Sequence, residues 1–273
     1  MKRLISECPH CYGKLELEVT PKFYRSKYDQ HFLSDMTILC VSTLEDRAFP
    51  FFKKMREHAD YLGAEFFLVG DCPTEEAYEK LLEISSMNIA HRLMMVKSKG
   101  YIESVLTSVY EDVKTTWAMR LDDDEEMSSG LVQWIKDRKH MQSKKWQVPT
   151  MNLYSPQEYF VEKPLFPDIH LRLSTWKTHP KVSRVHDGFA LAPLCPYSIL
   201  HHKFVIKPYE ERIKIAERYD LISEGAGTGT HLPFNLPEDY FTDGTYVADI
   251  LDGRVVDKPM DGARKVNLTI LDK

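Results

Sequence analysis

The sequence predicts an α/β protein with a mainly parallel sheet, helices on both of its faces, a short N-terminal lead-in and a C-terminal extension. Three observations carry this expectation. Short, almost wholly apolar runs recur at residues 36–42, 64–69, 91–96 and 116–121, the pattern of strands buried on both faces. The segments between them place apolar residues at helical spacing. Strand and helix therefore alternate, and crossover helices of that kind join strands that run parallel.

The elements follow in order. Met36-Thr37-Ile38-Leu39-Cys40-Val41-Ser42 is the first strand, and Phe51, Phe52, Met55, Ala59 and Leu62 mark one face of a helix over 49–62. A second strand ends in Gly70-Asp71-Cys72-Pro73. Thr74 is placed to cap a helix reaching about residue 84, with Glu75 and Glu76 in the first turn, where the helix dipole favours acids. A strand at 91–96, a helix at 100–113 and a strand at 116–121 complete the repeat. Beyond residue 128 the rhythm loosens. A helix is expected over 129–139, then segments rich in Pro, Trp and Tyr, then an amphipathic helix over 208–223 with Tyr209, Ile213 and Ala216 inward. The run Gly225-Ala226-Gly227-Thr228-Gly229 lacks the Lys and the strand-then-helix setting of a phosphate loop, so a hinge is expected. The expected organisation is a polar lead-in over 1–34, an α/β domain over 35–224, and an extension or lid over 225–273.

A formal net charge of −5 argues against a general binder of phosphate backbones, which needs a basic surface. Lys2-Arg3 is followed by no apolar stretch, and no run approaches the roughly 20 apolar residues of a membrane span. A soluble, cytoplasmic protein is expected. Five cysteines do not suggest a disulfide framework. Cys8-Pro9-His10-Cys11, followed by the alternating residues 14–19, opens like a zinc knuckle. A closed zinc site needs four ligands and no second Cys-x-x-Cys follows, so a solvent-exposed turn is expected and zinc at Cys8 and Cys11 is not.

Chemistry concentrates in Trp117-Ala118-Met119-Arg120-Leu121-Asp122-Asp123-Asp124-Glu125-Glu126. Five consecutive acids repel one another unless solvent or a cation relieves them. At the C-terminal end of a buried strand they stand where open α/β sheets bind ligands. Carboxylate oxygens there suit Mg²⁺ or Mn²⁺, which take one or two carboxylates plus ligand phosphates.

This segment resembles the "W-hydrophobic-hydrophobic-x-L-D-x-D-E" signature of family-2, GT-A-fold glycosyltransferases. The resemblance implies that Asp122 and Asp124 hold a nucleotide-sugar and its divalent cation. Residues 41–47, with Thr43 and Glu45, lie where the family's first strand ends against the nucleotide, although the usual proline and asparagine are missing. Val69-Gly70-Asp71-Cys72-Pro73-Thr74-Glu75 is similar to the family's "V-D-D-G-S-T-D" and implies a base contact for Asp71. Lys99-Gly100 falls where a basic residue and a glycine precede the next helix. In the second half, Leu171-Arg172-Leu173 looks like the "R-L-F" element of the lipopolysaccharide-core-type subgroup. Arg184-Val185-His186-Asp187-Gly188 looks like its "V-H-E", and His201-His202 with Glu210-Glu211 and Arg218-Tyr219 like its "H-Y … E-D … R-Y".

The resemblance implies an inverting transfer from a nucleotide-diphosphate sugar to a hydroxyl acceptor: a glycan, a lipid-linked glycan or a modified DNA base. Asp187 is then the base that takes the acceptor's proton, and Mn²⁺ or Mg²⁺ the cofactor. One of His201 and His202 completes the metal shell; alternation along a strand lets only one face the site and leaves open which. Arg172 and Arg218 are candidates for phosphate contacts. A nucleotidyltransferase on the same fold is the rival enzyme, though residues 42–47 carry no glycine, and a nucleic-acid-binding module built on the Cys8–Cys11 knuckle is the rival outside enzymes.

Overall fold

A computed structural model of the chain describes residues 4–7, 14–17, 24–25, 35–161, 165–179, 191–222, 245–255 and 264–266. Cys8, Cys11, Asp187 and the glycine-rich run 225–229 lie outside them. Strands β1 (Leu4–Glu7) and β2 (Lys14–Leu17) pair antiparallel in a sheet of their own. Strand β3 (Tyr24–Arg25) adds to the edge of the main sheet.

The repeat predicted for residues 36–121 is present. Strand β4 (Met36–Ser42) leads to α1 (Phe49–Leu62), β5 (Glu65–Asp71), α2 (Glu75–Ser86), β6 (Arg92–Val96), α3 (Glu103–Asp112) and β7 (Trp117–Leu121). Pro50 sits in the first turn of α1, and Gly63 ends the helix at φ 67, its N–H bonded to the Ala59 and Asp60 carbonyls. Thr74 caps α2 by accepting from the Ala77 N–H. β7, β4, β5 and β6 are neighbours in that order and all parallel. Met36, Ile38, Cys40, Phe66 and Leu68 form one face and pack on α1 and α2. Leu39, Val41, Phe67 and Val69 form the other and pack on Leu106, Val109 and Tyr110 of α3. Helices therefore cover both faces.

The second half extends this sheet with antiparallel strands. Strand β8 (Glu125–Met127) and α4 (Ser129–Lys136) follow β7 directly. Strands β9 (Lys145–Ser155), β10 (Glu158–Phe160), β11 (Asp168–Thr175) and β12 (Ile199–His201) come next, then α5 (Lys203–Ile206), α6 (Tyr209–Ile222), β13 (Thr245–Asp249) and β14 (Arg264–Val266). β11 runs antiparallel between β7 and β9, with a bulge between Leu171 and Leu173. β12 joins β8 to β9. The inner side of α6 differs from the amphipathic reading: Arg212 and Ala216 are its buried residues, and the Arg212 guanidinium lies 4.8 Å over the Phe204 ring. Among the described residues no helix is long and apolar enough to cross a membrane.

This topology places the site. Four parallel strands deliver their C-terminal ends to one edge, so the loops after Ser42, Asp71, Val96 and Leu121 adjoin. β11 enters from that edge because it opposes β7.

Candidate active site

The acidic run turns between β7 and β8 at this edge, held by its own backbone. The Asp122 N–H donates to Glu125 Oε2 at 2.8 Å, and the His202 N–H to the Asp124 carbonyl at 2.9 Å. Asp124 and Glu125 are buried. Buried carboxylates need partners, and strands distant in sequence supply them. Arg172, the bulge residue of β11, is 3% exposed. Its Nη2 donates to Asp122 Oδ2 at 2.8 Å and to Glu125 Oε1 at 2.6 Å. Its Nε and Nη1 find no acceptor among the described residues. Lys207, in the α5–α6 connection, donates from Nζ to Asp124 Oδ2 at 2.7 Å. Ser42, at the end of β4, donates from Oγ to Asp123 Oδ2 at 2.6 Å and accepts from the Leu44 N–H at 2.9 Å. Leu44 takes a left-handed φ of 62 to make this turn, an unfavourable conformation for a branched residue.

These partners sort the acids. Burial pushes Asp122 and Asp124 up, but Arg172 and Arg120 outweigh it for Asp122, and His201 and Lys207 for Asp124, so both stay below the ordinary carboxylate range. Burial pushes Asp123 up to about 6, with Asp124 adding to it, and burial also raises Glu125.

His201, not His202, faces this turn. Its Nδ1 lies 2.8 Å from Asn152 Oδ1, and the Asn152 amide donates to the Leu165 carbonyl at 2.8 Å. The amide orientation fixes Oδ1 as the acceptor and Nδ1 as the protonated nitrogen. Nε2 lies 3.3 Å from Asp124 Oδ1, where it ion-pairs with the carboxylate when protonated and offers a lone pair when neutral, and it has no hydrogen-bond partner among the described residues. A fixed tautomer presenting a free imidazole nitrogen beside a carboxylate is how histidines are prepared as metal ligands. Adjacent ligands of an octahedral ion at about 2.1 Å stand about 3 Å apart, so Asp124 and His201 fit such an ion. Among the described residues no group of three His, Cys, Asp or Glu side chains is placed to hold a metal ion. His202 turns away, its Nε2 3.0 Å from Glu126 Oε1 and its ring edge-on to Phe51 at 4.9 Å.

The remaining candidates are dispersed. Asp71 is at the same edge, but both oxygens are engaged by Ser98, through its N–H at 2.8 Å and its hydroxyl at 2.6 Å. Its visible work is to hold the loop before α3. Lys99 is exposed, with its N–H on Ser104 Oγ at 3.0 Å. Thr43 and Glu45 are exposed on the loop after β4, where Arg47 joins Glu45 to Glu211 of α6. Arg218 is exposed on α6, 5.5 Å over the Tyr219 ring. Lys207 and Asn152 were not anticipated. Lys207 precedes Pro208 in what reads as a linker, and nothing local points it at Asp124; Asn152 lies in a strand whose partners come from elsewhere in the chain.

No protein-family model matches the sequence, and no curated protein matches it. Solved structures with a remote likeness include S. aureus TarS 1-349, at 11% identity and TM-score 0.39 over 73% of this chain and 72% of that one. The same protein in complex with UDP-GlcNAc aligns at 13% identity and TM-score 0.32 over 46% and 38%. A putative glucose-1-phosphate thymidylyltransferase from Bacillus anthracis aligns at 10% identity and TM-score 0.34 over 87% and 93%.

Proposed function

We propose that the chain is a metal-dependent, inverting glycosyltransferase that moves a sugar from a nucleotide-diphosphate donor to a hydroxyl acceptor. One observation carries the reading: Asp122 and Asp124, the His201 imidazole Nε2 and the cations Arg172 and Lys207 converge where parallel strands end. Such an edge binds nucleotides, and the mixed charges suit a cation–diphosphate pair better than either ion alone.

Asp124 and His201 would hold Mn²⁺ or Mg²⁺, with Asp122 toward the donor; the cation supplies neutralisation of charge on the leaving diphosphate. Arg172 and Lys207 add fixed positive charge at the same place. In the transfer, the acceptor oxygen bonds to the anomeric carbon, the carbon–phosphate-oxygen bond breaks with its electrons leaving on the diphosphate, and the acceptor proton passes to a carboxylate. The resemblance assigns that carboxylate to Asp187.

Thermal stabilisation by a panel of nucleotide-sugars, with Mn²⁺ or with chelator, tests the reading. A binding donor at a hundredfold excess over its dissociation constant stabilises the fold by about 2.7 kcal/mol. Stabilisation by one nucleotide-sugar that needs Mn²⁺ is expected. Stabilisation by nucleoside triphosphates and not by nucleotide-sugars would overturn it in favour of nucleotidyl transfer.

A further inference from the structure

Lys207 fills part of the proposed cation site with its own charge. Its ammonium is 2.7 Å from Asp124 Oδ2, while Asp124 Oδ1 faces His201 Nε2 at 3.3 Å. The side chains are 12% and 4% exposed, so this is a desolvated ion pair rather than a surface contact. Lys203, four residues earlier, is close enough for its charge to act on Asp124 as well. Both lysines belong to one short stretch, α5 and its exit. At its far end Arg47 bonds Glu211, Nη1 lying 2.6 Å from Oε2.

We propose that Lys207 is a tethered cation that holds Asp124 in place of a divalent ion, and that on being displaced its ammonium becomes a ligand for the donor's diphosphate. The inference rests on the function proposed above. Its physical reason is charge balance. Five acids in sequence would repel one another at this turn without a counter-ion. A divalent ion that takes over Asp124 leaves the Lys207 ammonium without its partner, in a largely desolvated position. An unpaired charge there is costly, and a phosphate oxygen arriving with the ion relieves it. Cation and diphosphate then bind cooperatively, whereas the cation alone binds against a competitor.

The inference predicts opposite signs for two affinities. In Lys207→Met, Mn²⁺ alone, followed by electron paramagnetic resonance, should bind at least about tenfold more tightly, since a competitor occupying nine-tenths of the sites lowers apparent affinity by that factor. Pyrophosphate at saturating Mn²⁺ should bind about tenfold more weakly to the variant than to the natural protein, an order-of-magnitude value for losing a charged hydrogen bond. Lys207→Arg keeps the charge and should leave Mn²⁺ affinity near that of the natural protein. Circular dichroism checks that each variant folds; if Lys207→Met does not, Lys207→Gln replaces it with the same expectation. Unchanged Mn²⁺ affinity in the uncharged variant overturns the inference while the proposed function stands if nucleotide-sugar still binds with Mn²⁺. Tighter Mn²⁺ with unchanged pyrophosphate binding overturns the transfer to the diphosphate. No Mn²⁺ binding by any of the proteins overturns both the inference and the metal role.

Discussion

The two ends of β7 lie only a few residues apart and are built on opposite principles. At the N-terminal end, Trp117 packs edge-on against His140 at 4.9 Å and Trp146 edge-on against Trp134 at 4.9 Å. The Trp146 Nε1–H donates to the His140 carbonyl at 2.7 Å. All four rings are buried. At the C-terminal end, five acids share a turn with Arg172, Lys207 and His201; among the described residues buried nitrogens of Arg172 and His201 have no hydrogen-bond partner, and at the packed end the same holds for His140 Nδ1. The first end is close packing, which stabilises. The second concentrates buried charge, which costs stability and persists where a ligand supplies a further partner. The strand anchors one end so that the other can be held under electrostatic tension.

That contrast predicts how each end breaks. Trp146→Ala removes a buried aromatic from the packed end and should destabilise the fold by about 3–5 kcal/mol, measured by denaturant unfolding. Removing both charges of the buried pair, as Lys207→Met does when added to Asp124→Asn, should cost under about 2 kcal/mol, whereas Asp124→Asn alone strands the Lys207 ammonium and should cost about 3–5 kcal/mol. Its donor-dependent turnover should fall by about 10²–10³, in line with losing one electrostatic contact to the leaving group. If the double variant, with both charges removed, unfolds as readily as Trp146→Ala does, the acidic turn is a structural element and the two ends do not differ in kind.

The same contrast explains what was legible beforehand. The segment 36–121 announced itself because each strand and helix carries its own apolar period, and the observed limits of β4 and α1 coincide with those expected. β9 and β11 were not resolved from the mixed segments, because their partners are remote and β9 carries Pro149 inside it. The acidic turn was visible as a charge run, and Arg172 and the His201–His202 pair as motif-like residues. Which histidine faces Asp124 depends on Asn152, reached through the parallel pairing of β12 with β9. Lys207 is reached through the fold alone. Residues that partner the run across strands have no spacing to betray them.

A smaller effect sharpens the view of the acidic end. If Asn152 fixes the His201 tautomer, Asn152→Ala should weaken Mn²⁺ binding by about 10–100-fold, the usual consequence of losing such a supporting hydrogen bond. Paramagnetic resonance titration beside a thermal melt separates this from a packing defect. A variant that binds Mn²⁺ like the natural protein would show that Nε2 needs no help from Asn152 to face Asp124.

The smallest effect belongs to the packed end and appears with pH. Burial among the tryptophans lowers the His140 imidazole from its ordinary 6.5 to about 4; the Ile135 backbone opposes this slightly and Arg138 adds to it. The folded state therefore takes up a proton at His140 less readily than the unfolded chain does. Between pH 6.5 and 4 the unfolded chain holds more protons, so stability from the neutral imidazole is fully present above about 6.5 and is lost as pH falls toward 4. From pH 7.5 to 5.5 the loss should be about 1.4 kcal/mol. His58 and His179 are lowered by burial in the same direction, so the total decline with acid exceeds the His140 share. The comparison that isolates it is unfolding free energy at pH 7.5 and 5.5 for the natural protein and for His140→Phe, which keeps an aromatic ring against Trp117. The variant should lose less stability across that interval, by about 1 kcal/mol. An equal loss in both proteins would mean that the pocket admits the imidazolium without penalty, and that the packed end is not as closed to charge as its rings suggest.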